Sequence, residues 1–113
     1  MIYKLPLGDF CSSGLFVAPQ AYEIADLSLL TEEVFGPILH VIRFERKNRL
    51  SIIKQLNQLG YGLTFGMQSR IESSVSEVLS EINAGNLYVN RNTIGAVVGL
   101  QPFGGVGLSG TGP

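Results

Sequence analysis

The chain has 113 residues, a length that suits one modest domain. Hydrophobic residues make up 45% of it and charged residues 15%, a balance that excludes an intrinsically disordered chain. The net charge is -1, so no attraction to nucleic acid or to an acidic membrane surface is indicated. Cys11 is the single cysteine, which excludes an intrachain disulfide. No signal peptide is recognisable, and we therefore expect a cytoplasmic location.

The first part of the chain carries two candidate strands. The apolar run Leu15–Val17 predicts a short strand that Pro19 interrupts. Residues 37–44, PILHVIRF, are almost continuously apolar and rich in β-branched side chains. This pattern predicts a strand buried on both faces, as in a parallel sheet, with His40 packed inside it.

A helix and a strand follow. Ile52, Leu56 and Leu59 recur at helical spacing, with one more isoleucine beside them. Gly60 is suited to end this helix in a left-handed conformation. The sequence YGLTFGMQ, residues 61–68, then predicts the next strand.

A second helix and a final strand complete the pattern. Ser69 and Glu72 form the S-x-x-E capping box ahead of an amphipathic run, which we expect to end at Ala84–Gly85. Residues 86–90, NLYVN, predict the last strand. Strands alternating with helices predict an α/β fold, a βαβαβ segment built on a parallel sheet. Ligands of such sheets bind beyond the carboxyl ends of the strands.

A possible dinucleotide-binding fingerprint, G-x-G-x-x-G, is spelled by Gly105, Gly107 and Gly110. A working fingerprint needs a strand just before it and a helix that opens within it. Here Pro102 precedes the motif, and no helical pattern follows. We therefore interpret these glycines as turn and close-packing residues, at positions where side chains would clash.

Few other residues are candidates for catalysis or for binding a metal or ligand. Cys11 would need a neighbouring base or an electropositive pocket to act as a nucleophile, and we interpret it as structural. One cysteine and one histidine, His40, supply no credible metal set. The acidic turn TEEVFGP, residues 31–37, has two interpretations. It is either a solvated turn with Phe35 in the core, or a carboxylate and ring that contact a ligand's hydroxyls and flat face.

Three motifs resemble one enzyme family. EEVFGP is followed, after two βα units, by GNLYVNR and QPFGG, and together they resemble the C-terminal part of the aldehyde dehydrogenase catalytic domain over about residues 14–113. The stretch NLYVNRNTIGAVVGLQPFGGVGLSGTGP resembles more specifically the Δ1-pyrroline-5-carboxylate (L-glutamate γ-semialdehyde) dehydrogenase module of the bifunctional proline utilization A proteins. This resemblance implies NAD-dependent oxidation of L-glutamate γ-semialdehyde to glutamate, with FAD confined to a separate proline dehydrogenase domain.

The resemblance also implies roles for five residues. Glu33 matches the glutamate that hydrogen-bonds the nicotinamide ribose, and Phe35 matches the aromatic residue that packs beside it. Gly95 and Ala96 match the loop whose backbone amides hold the carboxylate of the substrate. Phe103 matches an aromatic residue that lines the aldehyde channel.

No catalytic residue is implied within this chain. The nucleophilic cysteine of the family lies upstream of EEVFGP, and Cys11 matches no such position. We expect residues 1–113 to be one partial domain of a longer enzyme, cut after the Gly-rich loop and inactive without the rest of its parent. Exposed sheet edges in such a piece would favour oligomerisation.

Two alternatives stay open. The chain could belong to another aldehyde dehydrogenase with a different substrate, although the TIGAVVG loop argues for capture of a carboxylate. It could also be a noncatalytic α/β module that works by self-association. The sequence does not separate NAD from NADP.

Overall fold

The structure, a computed structural model, describes residues 1–94 and 99–113. The chain divides into two compact units, residues 1–45 and 46–113. Among the described residues, no helix combines the length and apolar character needed to cross a membrane.

The first unit is a small three-stranded sheet. The strands are β1 (Tyr3–Lys4), β2 (Gln20–Glu23) and β3 (Ile38–Val41), and the two short 3-10 helices are Asp9–Cys11 and Leu27–Leu29. The strands lie in the order β1-β2-β3, with β1 antiparallel to β2 and β2 parallel to β3. The buried residues of this unit are Ala18 and Leu27.

The strand predicted over Leu15–Val17 is wrong. Pairing begins only after Pro19, at Gln20, and Leu15 is fully exposed. Proline lacks an N–H to donate to a ladder, but its carbonyl can still accept. Accordingly, the Pro19 carbonyl accepts a hydrogen bond of 2.9 Å from the N–H of Leu5. The apolar run stays outside the sheet.

The strand predicted within residues 37–44 forms as β3, but its expected burial is wrong. Ile38 and Leu39 are 42% and 61% exposed, and His40 is exposed as well. A strand is buried on both faces when long crossover helices cover the sheet. The helices of residues 1–45 are single 3-10 turns, which are too short to cover it.

The elements of the second unit are α1 (Arg49–Gln58), β4 (Tyr61–Gly62), β5 (Thr64–Met67), α2 (Glu72–Glu81), β6 (Asn86–Val89) and β7 (Val106–Gly107). The predicted helices and the strand at residues 86–90 form, but residues 61–68 form two short strands instead of the one predicted. α2 connects β5 to β6, which pair in parallel, and β4 pairs with β7 in antiparallel fashion. Ile53 of α1 and Val78 of α2 are buried. The α/β class with parallel strands is confirmed.

Of the predictions for the helix ends, the one at Gly60 is confirmed and those for both ends of α2 are wrong. Gly60 has φ of +80°, the left-handed conformation predicted after α1. The capping box is wrong because Ile71 is the N-cap of α2, and Ser69 therefore lies too early to reach the helix. The Ser69 hydroxyl instead accepts a 3.1 Å bond from the N–H of Ile71. α2 also ends at Glu81, earlier than predicted.

The Gly-rich end forms a tight turn, as predicted. Gly107 and Gly110 have φ of +62° and +140°. A side chain at Gly107 would strike the carbonyl oxygen of Gly60. The N–H of Leu108 donates to that same oxygen at 2.8 Å. These glycines therefore allow close packing of backbone against backbone.

Candidate functional site

The backbone around Phe103 is held by a buried asparagine. Asn86 begins β6 and is 9% exposed. Its side-chain Nδ2 donates to the carbonyl oxygen of Pro102 at 3.0 Å. Its Oδ1 accepts from the N–H of Gly104 at 3.1 Å. The two bonds thus fix the main chain on both sides of Phe103.

A second β6 residue holds the start of the same segment. Side chains alternate along a strand, so Asn86 and Tyr88 lie on one face of β6. Tyr88 is 6% exposed, and its hydroxyl accepts a 2.8 Å hydrogen bond from Nε2 of Gln101. The guanidinium of Arg91 lies 4.7 Å from the centre of the Tyr88 ring, a cation–π contact. The segment 101–104 is therefore tied to β6 at several points.

This segment also lies close to Gly85, the residue just before β6. A side chain at Gly85 would strike the carbonyl oxygen of Gly104. Only glycine lets the two backbones approach in this way. Phe103 itself stays 42% exposed, so its position is fixed through its neighbours while part of its ring is open to a ligand.

The acidic turn lies in the first unit and has the opposite character. All residues of the segment 31–36 are exposed, and Phe35 is 92% exposed. The interpretation that places Phe35 in a core is therefore wrong for this chain. Within residues 1–94 and 99–113, nothing donates a hydrogen bond to the carboxylate of Glu33. That carboxylate can accept bonds from ligand hydroxyls, and the ring can pack on a flat ligand.

Two of the predicted site residues, Gly95 and Ala96, lie outside the described residues. Of the other three, Glu33 and Phe35 share one segment of the first unit, and Phe103 belongs to the second. Glu33 and Phe35 are two residues apart and both exposed, and the structure shows what holds the backbone of Phe103.

Asn86 and Tyr88 are not among the residues that the sequence predicts for a site. The motif NLYVN predicts a strand and contributes to the family resemblance. Asparagine is disfavoured in strands, so an asparagine that starts a strand ahead of alternating side chains was a usable signal. Its partners could not be inferred because they lie 16 and 18 residues further along the chain.

Other residues that carry chemistry offer little. Cys11 ends a 3-10 helix and is half-buried. In the described part of the chain, no group of three or more His, Cys, Asp or Glu side chains could hold a metal ion. Asp26 caps a 3-10 helix by accepting a 2.8 Å bond from the N–H of Ser28, and this bond lowers the pKa of the Asp26 carboxyl.

Comparison with known proteins gives a consistent result. The model of the aldehyde dehydrogenase family matches residues 4–113. The chain is 55% identical over 101 residues to the Bifunctional protein PutA of Escherichia coli K12. That match covers 89% of this chain and 8% of the relative, so the chain spans only a small part of the length of such proteins.

Solved structures agree with the sequence matches. A variant of Bradyrhizobium japonicum proline utilization A is 54% identical, with a TM-score of 0.83, over 89% of this chain and 10% of that one. A 1-pyrroline-5-carboxylate dehydrogenase from Thermus, solved with bound NAD, is 40% identical with a TM-score of 0.72. This second match covers 88% of the chain and 19% of that structure.

Proposed function

Because the chain belongs to the aldehyde dehydrogenase family, we propose that it is part of an NAD-dependent L-glutamate γ-semialdehyde (Δ1-pyrroline-5-carboxylate) dehydrogenase of proline catabolism. The intact enzyme oxidises this aldehyde to glutamate. The observation that carries the proposal is the double likeness to PutA and to 1-pyrroline-5-carboxylate dehydrogenases over most of the chain. FAD belongs, in this proposal, to a proline dehydrogenase domain outside the chain.

The first unit supplies contacts to the cofactor. The Glu33 carboxylate accepts hydrogen bonds from the hydroxyls of the nicotinamide ribose, and the Phe35 ring packs beside that ribose. The exposure of both side chains, and the lack of a hydrogen-bond donor to Glu33 among the described residues, fit this role. Bound NAD supplies a hydride acceptor.

The second unit supplies contacts to the aldehyde. Phe103 lines the channel that the aldehyde enters, and its half-open ring supports this role. The backbone N–H groups of Gly95 and Ala96 hold the carboxylate of the substrate. Paired amides can hold an anion without any basic side chain.

The nucleophile comes from elsewhere in the parent enzyme. Aldehyde oxidation of this kind would need a thiolate to attack the carbonyl carbon, bound NAD to accept the hydride, and water to hydrolyse the resulting thioester. Cys11, in a half-buried 3-10 turn, is not assigned this role. The 113-residue chain alone therefore forms no NADH from aldehyde, and turnover above background would contradict this assignment.

The rest of the parent enzyme is the proposed partner of the exposed apolar residues. Leu15 is 105% exposed, Phe10 84% and Leu29 62%, all in the first unit. Such surface is costly to leave in water. Light scattering on the 113-residue chain tests this point: we expect self-association, and a monodisperse monomer would contradict it.

The substrate proposal is tested on the full-length protein that contains this chain. NADH formation is followed with L-glutamate γ-semialdehyde and with butanal, an aldehyde that lacks the amino acid head. We expect kcat/KM to be about hundredfold higher for the semialdehyde. With butanal bound, the polar groups that hold the substrate's carboxylate would have no hydrogen-bond partner. Equal or better use of butanal would overturn the substrate, and the absence of NADH with either aldehyde would overturn the reaction.

A further inference from the structure

We propose that Asn86 is a positioning residue for aldehyde binding, which acts by fixing the backbone on both sides of Phe103. The inference rests on the proposed function, since it takes Phe103 as a contact of the aldehyde. Asn86 touches neither the cofactor nor the aldehyde in this account. Its partners are the Pro102 carbonyl and the Gly104 N–H.

The carboxamide chemistry suits this task. One end of the group donates to the residue before Phe103, and the other end accepts from the residue after it. Few side chains offer a donor and an acceptor side by side. Asn86 is also 9% exposed, so water cannot easily replace it once it is removed. Its loss would free Phe103 to move relative to the aldehyde.

Asn57 provides a matched comparison within the same unit. Its Nδ2 donates to the Glu81 carbonyl at 2.7 Å, and its Oδ1 accepts from the N–H of Asn83 at 2.9 Å. Asn57 thus makes the same pair of bonds at the end of α2, to backbone that does not carry Phe103. If Asn86 were only structural, the two asparagines would give the same kinetic result when replaced.

The test compares Asn86→Ala and Asn57→Ala in the full-length protein. For Asn86→Ala we expect the KM of L-glutamate γ-semialdehyde to rise by up to about fivefold, the loss expected when the Phe103 ring itself is removed, since small displacements of a binding group are costly. The KM of NAD should stay within about twofold, as should both constants in Asn57→Ala. An equal change of both KM values in Asn86→Ala, or equal effects of the two variants, would overturn the proposal.

Phe103→Ala then asks whether Asn86 acts through that ring. In a double-mutant cycle we expect Asn86→Ala to change the KM of the aldehyde by less than about twofold once Phe103 is alanine. Full additivity of the two effects would contradict action through Phe103.

Asn86→Asp keeps the proposal testable if the alanine variant does not fold. Aspartate keeps the volume and an acceptor for the Gly104 N–H, but the carboxylate cannot donate to the Pro102 carbonyl. We expect a raised KM for the aldehyde, and an unchanged KM would overturn the role of Asn86. A wild-type protein without semialdehyde oxidation would overturn the proposed function instead, so the two failures are distinct.

Discussion

Two segments of the chain are proposed to bind small molecules, and they differ in the hydrogen bonds that hold them. The segment 101–104 is tied to β6 by its hydrogen bonds with the side chains of Asn86 and Tyr88. The segment 31–36 is exposed throughout, and within the described residues its side chains have no hydrogen bonds. The backbone of the segment 101–104 is therefore held in place without a ligand. The polar and aromatic side chains of the segment 31–36 remain exposed.

This contrast has an energetic meaning. A group that is already fixed loses little conformational entropy when a ligand binds, so more of its contact energy appears as affinity. The backbone of Phe103 has that advantage. In the proposed function, binding of the cofactor would have to order the exposed side chains of Glu33 and Phe35. Substitutions in the two segments should therefore differ in kind as well as in size.

The largest expected effect comes from Gly85, which packs against the segment 101–104. Gly85→Ala places a side chain on the Gly104 carbonyl oxygen, so the segment 101–104 must move. We expect the free energy of unfolding to fall by about 3 kcal/mol, because backbone atoms cannot move aside as a flexible side chain can. Aldehyde oxidation should be lost as well. Gly36→Ala is the control, since a side chain there meets no atom within 4 Å. Thermal melting and activity of the full-length variants would measure both, and equal tolerance would remove the contrast.

The next effect concerns Glu33 and its neighbour. Glu33→Gln keeps the shape but removes the charge, and hydrogen bonds to charged groups are worth about 1.5–3 kcal/mol. We expect the KM of NAD to rise about tenfold, with the KM of the aldehyde nearly unchanged. Glu32→Gln changes an adjacent exposed carboxylate in the same way and should alter neither constant. If Glu32→Gln had the larger effect, the assignment of the ribose contact would be wrong.

A smaller and crossed effect is expected for the two aromatic residues. Phe35→Ala should weaken the use of NAD, and Phe103→Ala should weaken the use of the aldehyde. Each loss is about fivefold, the size of one aromatic contact of about 1 kcal/mol. Steady-state kinetics with each substrate varied in turn gives the four constants. If both variants weakened the use of the same substrate, the two segments would not have the separate roles proposed for them.

The smallest effect is a pH dependence in the first unit. The bond from the Ser28 N–H lowers the pKa of Asp26 from its usual 3.8, so Asp26 stabilises the fold above that pH. This stabilisation is lost as the pH falls through the lower, folded pKa. The melting temperature of Asp26→Ala should therefore lie slightly below that of the wild type at neutral pH and converge with it under acid. A gap that persists in strong acid would contradict the charged cap.

Local patterns in the sequence predicted much of the second unit. Helical spacing and Gly60 identified α1, and the motif NLYVN identified β6. The same approach failed at Leu15–Val17 and at the faces of β3 because burial depends on what covers a segment. An apolar run indicates that its side chains favour burial. It does not indicate whether another element of residues 1–45 covers them.

The candidate site divides along the same line. The family resemblance implies Glu33, Phe35 and Phe103, whereas the bonds of Asn86 to the residues on either side of Phe103 are visible only in the folded structure. Those bonds join residues from different elements, and no local pattern encodes such a meeting. Gly85 likewise is an ordinary helix-ending glycine in the sequence, and its closeness to Gly104 appears only in three dimensions.

The most direct test of the proposed function is the product formed by the full-length protein from L-glutamate γ-semialdehyde and NAD. Oxidation of one aldehyde consumes one water, yields one carboxylate and passes one hydride to the cofactor. We expect glutamate and NADH in equal amounts, measured by mass spectrometry and absorbance on the same sample. Absence of glutamate, or NADH formed without it, would contradict the proposed function.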